Sequence, residues 1–328
     1  MTKGEVNFTR IIRSRAVGVL IVLAGVFMTL QANVLGAITP LIDTKTIAFP
    51  SPSTWISEGE LSMWVNLILL TGIGGMMIAI NRTFNLLRTL SVFFAAFFVF
   101  ITAATPTIAG QLTGSTLLAV VLLLCMWIMF TLYNVRQSDR RIFLVFFLLG
   151  LGALVQYAFF FYIPIFIAAL GQMRIFRFKK ILAAVLGNIT PAWIAWGLDL
   201  VPVPEIPKII FTPPSMLLQA PGGWPFLVTV AFTLIVGFFL GSVNLLKIIG
   251  FNAQARAYNG LLSLVAIATG IFAIVNFTNI AFYVTLLNVC VAFQVGHFFR
   301  FTVMRRGYIV ITAIMATYLG LYFWAIFS

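Results

Sequence analysis

Apolar residues in this chain come in long unbroken runs separated by short polar stretches, not in the alternating pattern of strands or the one-sided pattern of surface helices. A spanning helix needs about 20 such residues. The runs at 16–37, 61–80, 89–109 and 115–134 predict four spans, and those at 181–198, 224–246, 259–276 and 306–327 predict four more. Two stretches are less simple. Residues 142–172 are too many for one upright helix and too few for two full ones, and residues 259–299 read as two spans meeting at Asn276 and Asn279.

Charge parity addresses the first of these. Arg136, Arg140 and Arg141 precede the 142–172 run, and Arg174, Arg177, Lys179 and Lys180 follow it. Short basic loops resist translocation and stay on the cytoplasmic side, so the chain between them must cross an even number of times. That predicts a short helical hairpin turning near Gln156 and Tyr157, with Pro164 bending its second helix. Short paired helices at membrane depth must be shielded by protein or line a cavity, which makes Gln156 and Tyr157 candidate substrate-binding residues.

The expected fold is an all-α polytopic transmembrane bundle of about eleven spans. It forms one domain over residues 1–328, with the N-terminus cytoplasmic and the C-terminus outside. Of the 20 basic residues, only Lys45 and Lys208 then fall outside; of the 7 acidic ones, only Glu5 and Asp139 fall inside. Arg10, Arg13 and Arg15 ahead of the first run resemble the start of a secretory signal. With its flank to Ile38, however, the run is long enough to cross, and is read as an uncleaved span.

Composition agrees: 62% of residues are hydrophobic and 8% charged, with mean hydropathy +1.11, which excludes a large water-soluble domain. The pI near 10.4 raises the question of nucleic acid. The cations sit between apolar runs and no nucleic-acid-binding motif accompanies them, so no nucleic-acid partner is expected. Cys125 and Cys290 lie within apolar runs and read as buried thiols. Neither a metal site nor a cofactor is expected.

Candidate chemistry gathers in two outer loops, 39–60 and the proline-rich 199–223. Asp43, Glu58 and Glu60 in the first are the candidate catalytic residues, since a carboxylate there could act as general base. Lys45 and Lys208, the outer cations, are candidate substrate-binding residues, because a departing lipid phosphate needs positive charge. Two cations are few for that task, and Asp43, Glu58 and Glu60 read first as solvated loop charges that obey the sidedness rule. Within the spans, Gln31, Asn33, Asn66, Asn188, Asn244, Asn288 and Gln294 read as interhelical hydrogen-bonding groups. His297 reads as an interfacial hydrogen-bonding group, and Gly72, Gly74 and Gly75 as sites of close helix approach.

From Asn81 through Leu200 the chain resembles an uncharacterised family of polytopic inner-membrane proteins of Bacteroidota, defined only as a domain of unknown function. The resemblance is carried by IFLVFFLLGLGA from Ile142 to Ala153, by Ala158 to Leu170 with its central Pro164, by RIFRFKK from Arg174 to Lys180, and by Gly187 to Pro191. Such proteins are similar in topology to the membrane parts of lipid-linked-sugar glycosyltransferases. The resemblance implies the bacterial inner membrane but supplies no reaction and no catalytic residues.

Three functions follow as expectations. The first is a non-catalytic subunit or scaffold of a cell-envelope complex, with membrane lipids and a membrane or periplasmic protein as partners. The second is a glycosyltransferase-like enzyme acting on a polyprenyl-phosphate-linked sugar or glycolipid. The third is a lipid or small-molecule transporter, disfavoured by the lack of a centrally placed charge in any span.

Overall fold

The structure is a computed structural model that describes residues 14–39, 49–87, 91–199, 222–301 and 307–328. Among them every regular element is helical. The α-helices are α1 (Arg15–Val34), α2 (Gly59–Phe84), α3 (Phe93–Ala103), α4 (Pro106–Ala109), α5 (Gly114–Phe130) and α6 (Asp139–Val155). They continue with α7 (Tyr162–Gln172), α8 (Phe178–Gly197), α9 (Gly223–Ile248), α10 (Ala253–Val275), α11 (Ile280–Phe301) and α12 (Gly307–Phe327). Six are long and apolar enough to cross a membrane: α1, α2, α9, α10, α11 and α12.

Within α11 every residue from Phe282 to Phe298 is buried, whereas most of α1 and α12 is not, so α11 is the bundle's central helix. Every residue of the eleven-residue α3 is also buried. Its end is irregular, breaking at Ala104 and Thr105 before α4. Backbone at such a break needs internal partners where water is excluded. The threonines supply them: Thr102 Oγ1 donates to the Phe98 carbonyl (2.8 Å) and Thr105 Oγ1 to the Thr102 carbonyl (2.8 Å), while Asn288 of α11 donates to Thr102 Oγ1 (3.1 Å).

The 142–172 region forms the expected hairpin. Helix α6 ends at Val155, Gln156 is extended (φ −151°, ψ 130°), and a 3₁₀ turn over Tyr157–Phe161 leads into α7. At 1.5 Å per α-helical and about 2 Å per 3₁₀ residue, each leg reaches roughly 25–27 Å. Pro164 does not bend α7. It lies in the first turn, where its missing N–H would have had no intrahelical partner and its fixed φ is already helical. The proline inside a helix is Pro191 of α8.

The two basic clusters flanking the hairpin meet at one end of the bundle. The Asn134 N–H donates to the Met173 carbonyl (3.0 Å), Lys179 pairs with Asp139 (3.0 Å), and buried Lys180 donates to the Val135 carbonyl (3.1 Å) and to Ser138. Rings of Phe84, Phe130, Tyr133 and Tyr258 pack beside this end. Six of the seven tryptophans lie at the other end, on the terminal turns of α2, α8, α9 and α12 or just before α2. Trp55, Trp64, Trp193, Trp196, Trp224 and Trp324 are all exposed. Indoles gather at membrane interfaces because an apolar ring carries a polar N–H. From Phe178 to Trp196 along α8 is about 27 Å, close to a bilayer's hydrocarbon thickness of about 30 Å.

Helix approach does not run through the glycines of α2. Gly72 and Gly75 face open space, and Gly74 meets Ala95 at an ordinary distance. The tight pair is α6 with α8. A Cβ on Gly150 would lie 2.5 Å from the Asn188 carbonyl oxygen, and one on Gly187 would lie 2.4 Å from that of Phe143. Bare Cα surfaces here let two backbones touch, the small-residue packing characteristic of helices in lipid.

Candidate functional site

The candidate site is where two breaks in the helical pattern face each other at the tryptophan end. One break is at Gln156 and Tyr157; the other is at Asn276, where α10 ends and a 3₁₀ turn over Phe277–Asn279 leads into α11. Polar side chains in otherwise apolar sequence must find one another when water is excluded, and these do. The Tyr157 hydroxyl is the hub. It lies 3.2 Å from Asn276 Oδ1, to which it donates, and accepts from Asn276 Nδ2 (3.0 Å) and Asn279 Nδ2 (2.6 Å). Asn276 Nδ2 reaches the Tyr283 hydroxyl at 3.0 Å, and Asn279 Nδ2 reaches Asn276 Oδ1 at 3.1 Å.

The Gln156 side chain is buried against Gly114, the first residue of α5, where a Cβ would stand 2.3 Å from Gln156 Oε1. Gln156 Oε1 and the neighbouring buried Thr113 hydroxyl have no hydrogen-bond partner among the described residues.

A second set of bonds extends this polar layer across the bundle end. Asn66 of α2 donates to the carbonyls of Ile108 (2.9 Å) and Ala109 (2.8 Å) and accepts from Thr116 (2.7 Å). Ser62 accepts from the Leu112 N–H (3.0 Å), and Ser115 is bonded both ways to Thr285 of α11. The turns joining α4 to α5, α6 to α7 and α10 to α11 are thereby held, together with the start of α2, in one layer. Its groups are amides, hydroxyls and phenols. They orient and hydrogen-bond; general acid–base catalysis calls instead for a group whose pKa lies near the working pH.

Beside the layer is a cavity of about 230 Å³, between the ends of α1 and α12, the α3–α4 break and the start of α9. Its lining combines Leu35, Phe226 and Ile326 with the hydroxyl-bearing Thr39, Thr105 and Thr229. Thr39 of the 39–60 segment and Gly222 of the 199–223 segment both line the cavity. Gln111 ties this rim by donating to the Thr39 carbonyl (3.1 Å).

The expected site residues fall in different places. Gln156 and Tyr157 are in the buried layer. Glu58 and Glu60 are exposed at the start of α2, and neither lines the cavity. Asp43, Lys45 and Lys208 lie outside the described residues. Of the amides, Asn66 and Asn288 bond across helices, and Asn244 Nδ2 of α9 donates to the Gln294 carbonyl and Oε1 of α11, both at 2.8 Å. Asn33 is exposed. His297 is buried in α11, four residues before the helix ends.

Reading the sequence for site residues missed Asn276 and Asn279, whose N-F-T-N spacing at a span junction was the available signal. It also missed Tyr283 and Thr113, which carry no signal of their own. In comparisons with known proteins the chain matches no protein-family profile, no curated sequence and no solved structure.

Proposed function

We propose that this chain is a multi-pass inner-membrane protein of a bacterial cell envelope and serves there as a non-catalytic subunit. In this reading its basic end is cytoplasmic, the tryptophan end is periplasmic, and the chain crosses about eleven times. The observation that carries the proposal is the hydrogen-bonded layer of turns at the tryptophan end. A partner docks most tightly on a surface that loses little freedom on binding, and a cross-linked layer of helix ends provides such a base. The polar groups of the Tyr157 hub are engaged with one another, as in a structural element.

The test is purification of the full chain in mild detergent, with a photo-reactive residue in place of exposed Trp55. A defined membrane or periplasmic protein should co-elute and cross-link there. A lone monomer without cross-links refutes the subunit reading.

The cavity favours a second reading, in which the outer face handles a polyprenyl-linked or other glycolipid. Its volume of about 230 Å³ is below the roughly 300–1,000 Å³ of pockets that enclose whole small molecules. It would therefore hold part of a lipid, not a complete sugar donor, which places this reading second. Replacing Asp43, Glu58 and Glu60 together by alanine should abolish transfer to envelope glycans if the chain is such an enzyme; unchanged glycans would reject that reading.

A further inference from the structure

We propose that the basic end carries a binding site for the phosphate headgroup of an anionic phospholipid, formed where the start of α6 meets the α7–α8 connection. The two segments are far apart in sequence but latched together by the Asn134–Met173 backbone bond, the Lys179–Asp139 pair and buried Lys180. Asp139 is engaged by Lys179. Arg136, Arg140 and Arg141 on one side, and Arg174 and Arg177 on the other, are exposed, and no carboxylate among the described residues pairs with them.

Two features make this more than the usual excess of cations on one membrane face. The first is electrostatic. Helices α6 and α8, of 17 and 20 residues, both begin here, and neither Ser138 nor Arg177 caps its helix with a side chain. A helix N-terminus carries about half a positive charge and favours acidic residues in its first turn. Here the first turn of α6 holds Asp139, already engaged by Lys179, together with Arg140 and Arg141, and that of α8 holds Lys179 and Lys180 with no acidic residue. The sidedness rule asks that cations lie on this face, not that they crowd two positive helix ends. A phosphate bound between them turns that repulsion into attraction.

The second feature identifies the source of the phosphate. Phe176 and Phe178 are 56% and 82% exposed and alternate with Arg174, Arg177 and Lys179. Apolar rings set among cations suit the depth at which acyl chains meet headgroups. A soluble anion or an acidic protein surface offers those rings no acyl region to enter.

The proposal is independent of either reading of the outer face. It is tested on the full chain, delipidated in detergent and incubated with an equal mixture of phosphatidylglycerol and phosphatidylcholine, with bound lipid counted by native mass spectrometry. Phosphatidylglycerol should be retained in preference, and millimolar inorganic phosphate should not displace it. Each basic residue near an anionic headgroup contributes about five-fold, so the R140Q/R141Q/R177Q variant should bind it about a hundred-fold more weakly. Equal retention of the two lipids by the wild type overturns the proposal without recourse to any variant. So does full retention by a folded triple variant, displacement by free phosphate, or tighter capture of a soluble polyglutamate peptide than of the lipid.

Discussion

The α6–α8 contact supports a quantitative test, because the chain supplies its own control. Ordinary contact of a Cβ begins at 3.4 Å, and the methyl group of Gly150→Ala would stand 2.5 Å from the Asn188 carbonyl oxygen, 0.9 Å too close. The Gly187→Ala methyl would fall short by 1.0 Å, at 2.4 Å from the Phe143 carbonyl. Both obstacles are helix backbone and cannot rotate away, so the helices must separate by nearly an ångström. A gap of that size forfeits a quarter to a half of each dispersion contact along the seam. The cost should be about 1–3 kcal/mol for either substitution. Because one separation relieves both clashes, the double variant should lose about as much as the worse single variant, not the sum. At Gly72 and Gly75 a Cβ meets nothing within 4 Å, so alanine there should stabilise by up to about 1 kcal/mol through helix propensity. Cys125 and Cys290, both buried and free, provide the readout: a thiol-reactive fluorophore reports thermal unfolding in detergent. The seam variants should melt earlier than wild type and the α2 variants at the same temperature or later. Equal melting of Gly150→Ala and Gly72→Ala would refute the close-packed seam.

Other expectations follow from the polar layer and the basic end. Tyr157→Phe keeps the ring but removes the hydroxyl serving Asn276 and Asn279, and should cost about 1–2 kcal/mol in the same melting assay, with no loss in Tyr133→Phe. Asn66→Leu strands two buried carbonyls and the Thr116 hydroxyl, and should cost about 1–3 kcal/mol; a neutral result would mean that α2 is not anchored to the α4–α5 turn. Single cysteines at exposed Gln137 and Phe176, in a background lacking Cys125 and Cys290, should be labelled from the same membrane face by an impermeant reagent, and one at exposed Ser57 from the opposite face. Labelling of the first two from different faces would break the hairpin topology.

Sequence alone determined the solvent and the periodic crossing. Runs of apolar residues with few charges have no soluble solution, and the clusters at 136–141 and 174–180 required the chain between them to leave and return. The turn was legible at Gln156 and Tyr157 because two polar side chains interrupt an oily run and must be paired. The same logic marked Asn276 and Asn279 as a junction, but not that this junction faces the other. Tertiary structure alone decided that Tyr157 bonds both asparagines, that Gly150 and Gly187 rather than the α2 glycines hold helices together, and that the eleven-residue α3 is wholly buried. The physical reason is that lipid tails and neighbouring helices are about equally apolar. In water, a helix's buried face stands out in its sequence by contrast with the solvated face. In a bilayer that contrast is lost, and only the arrangement of the helices shows which side meets which.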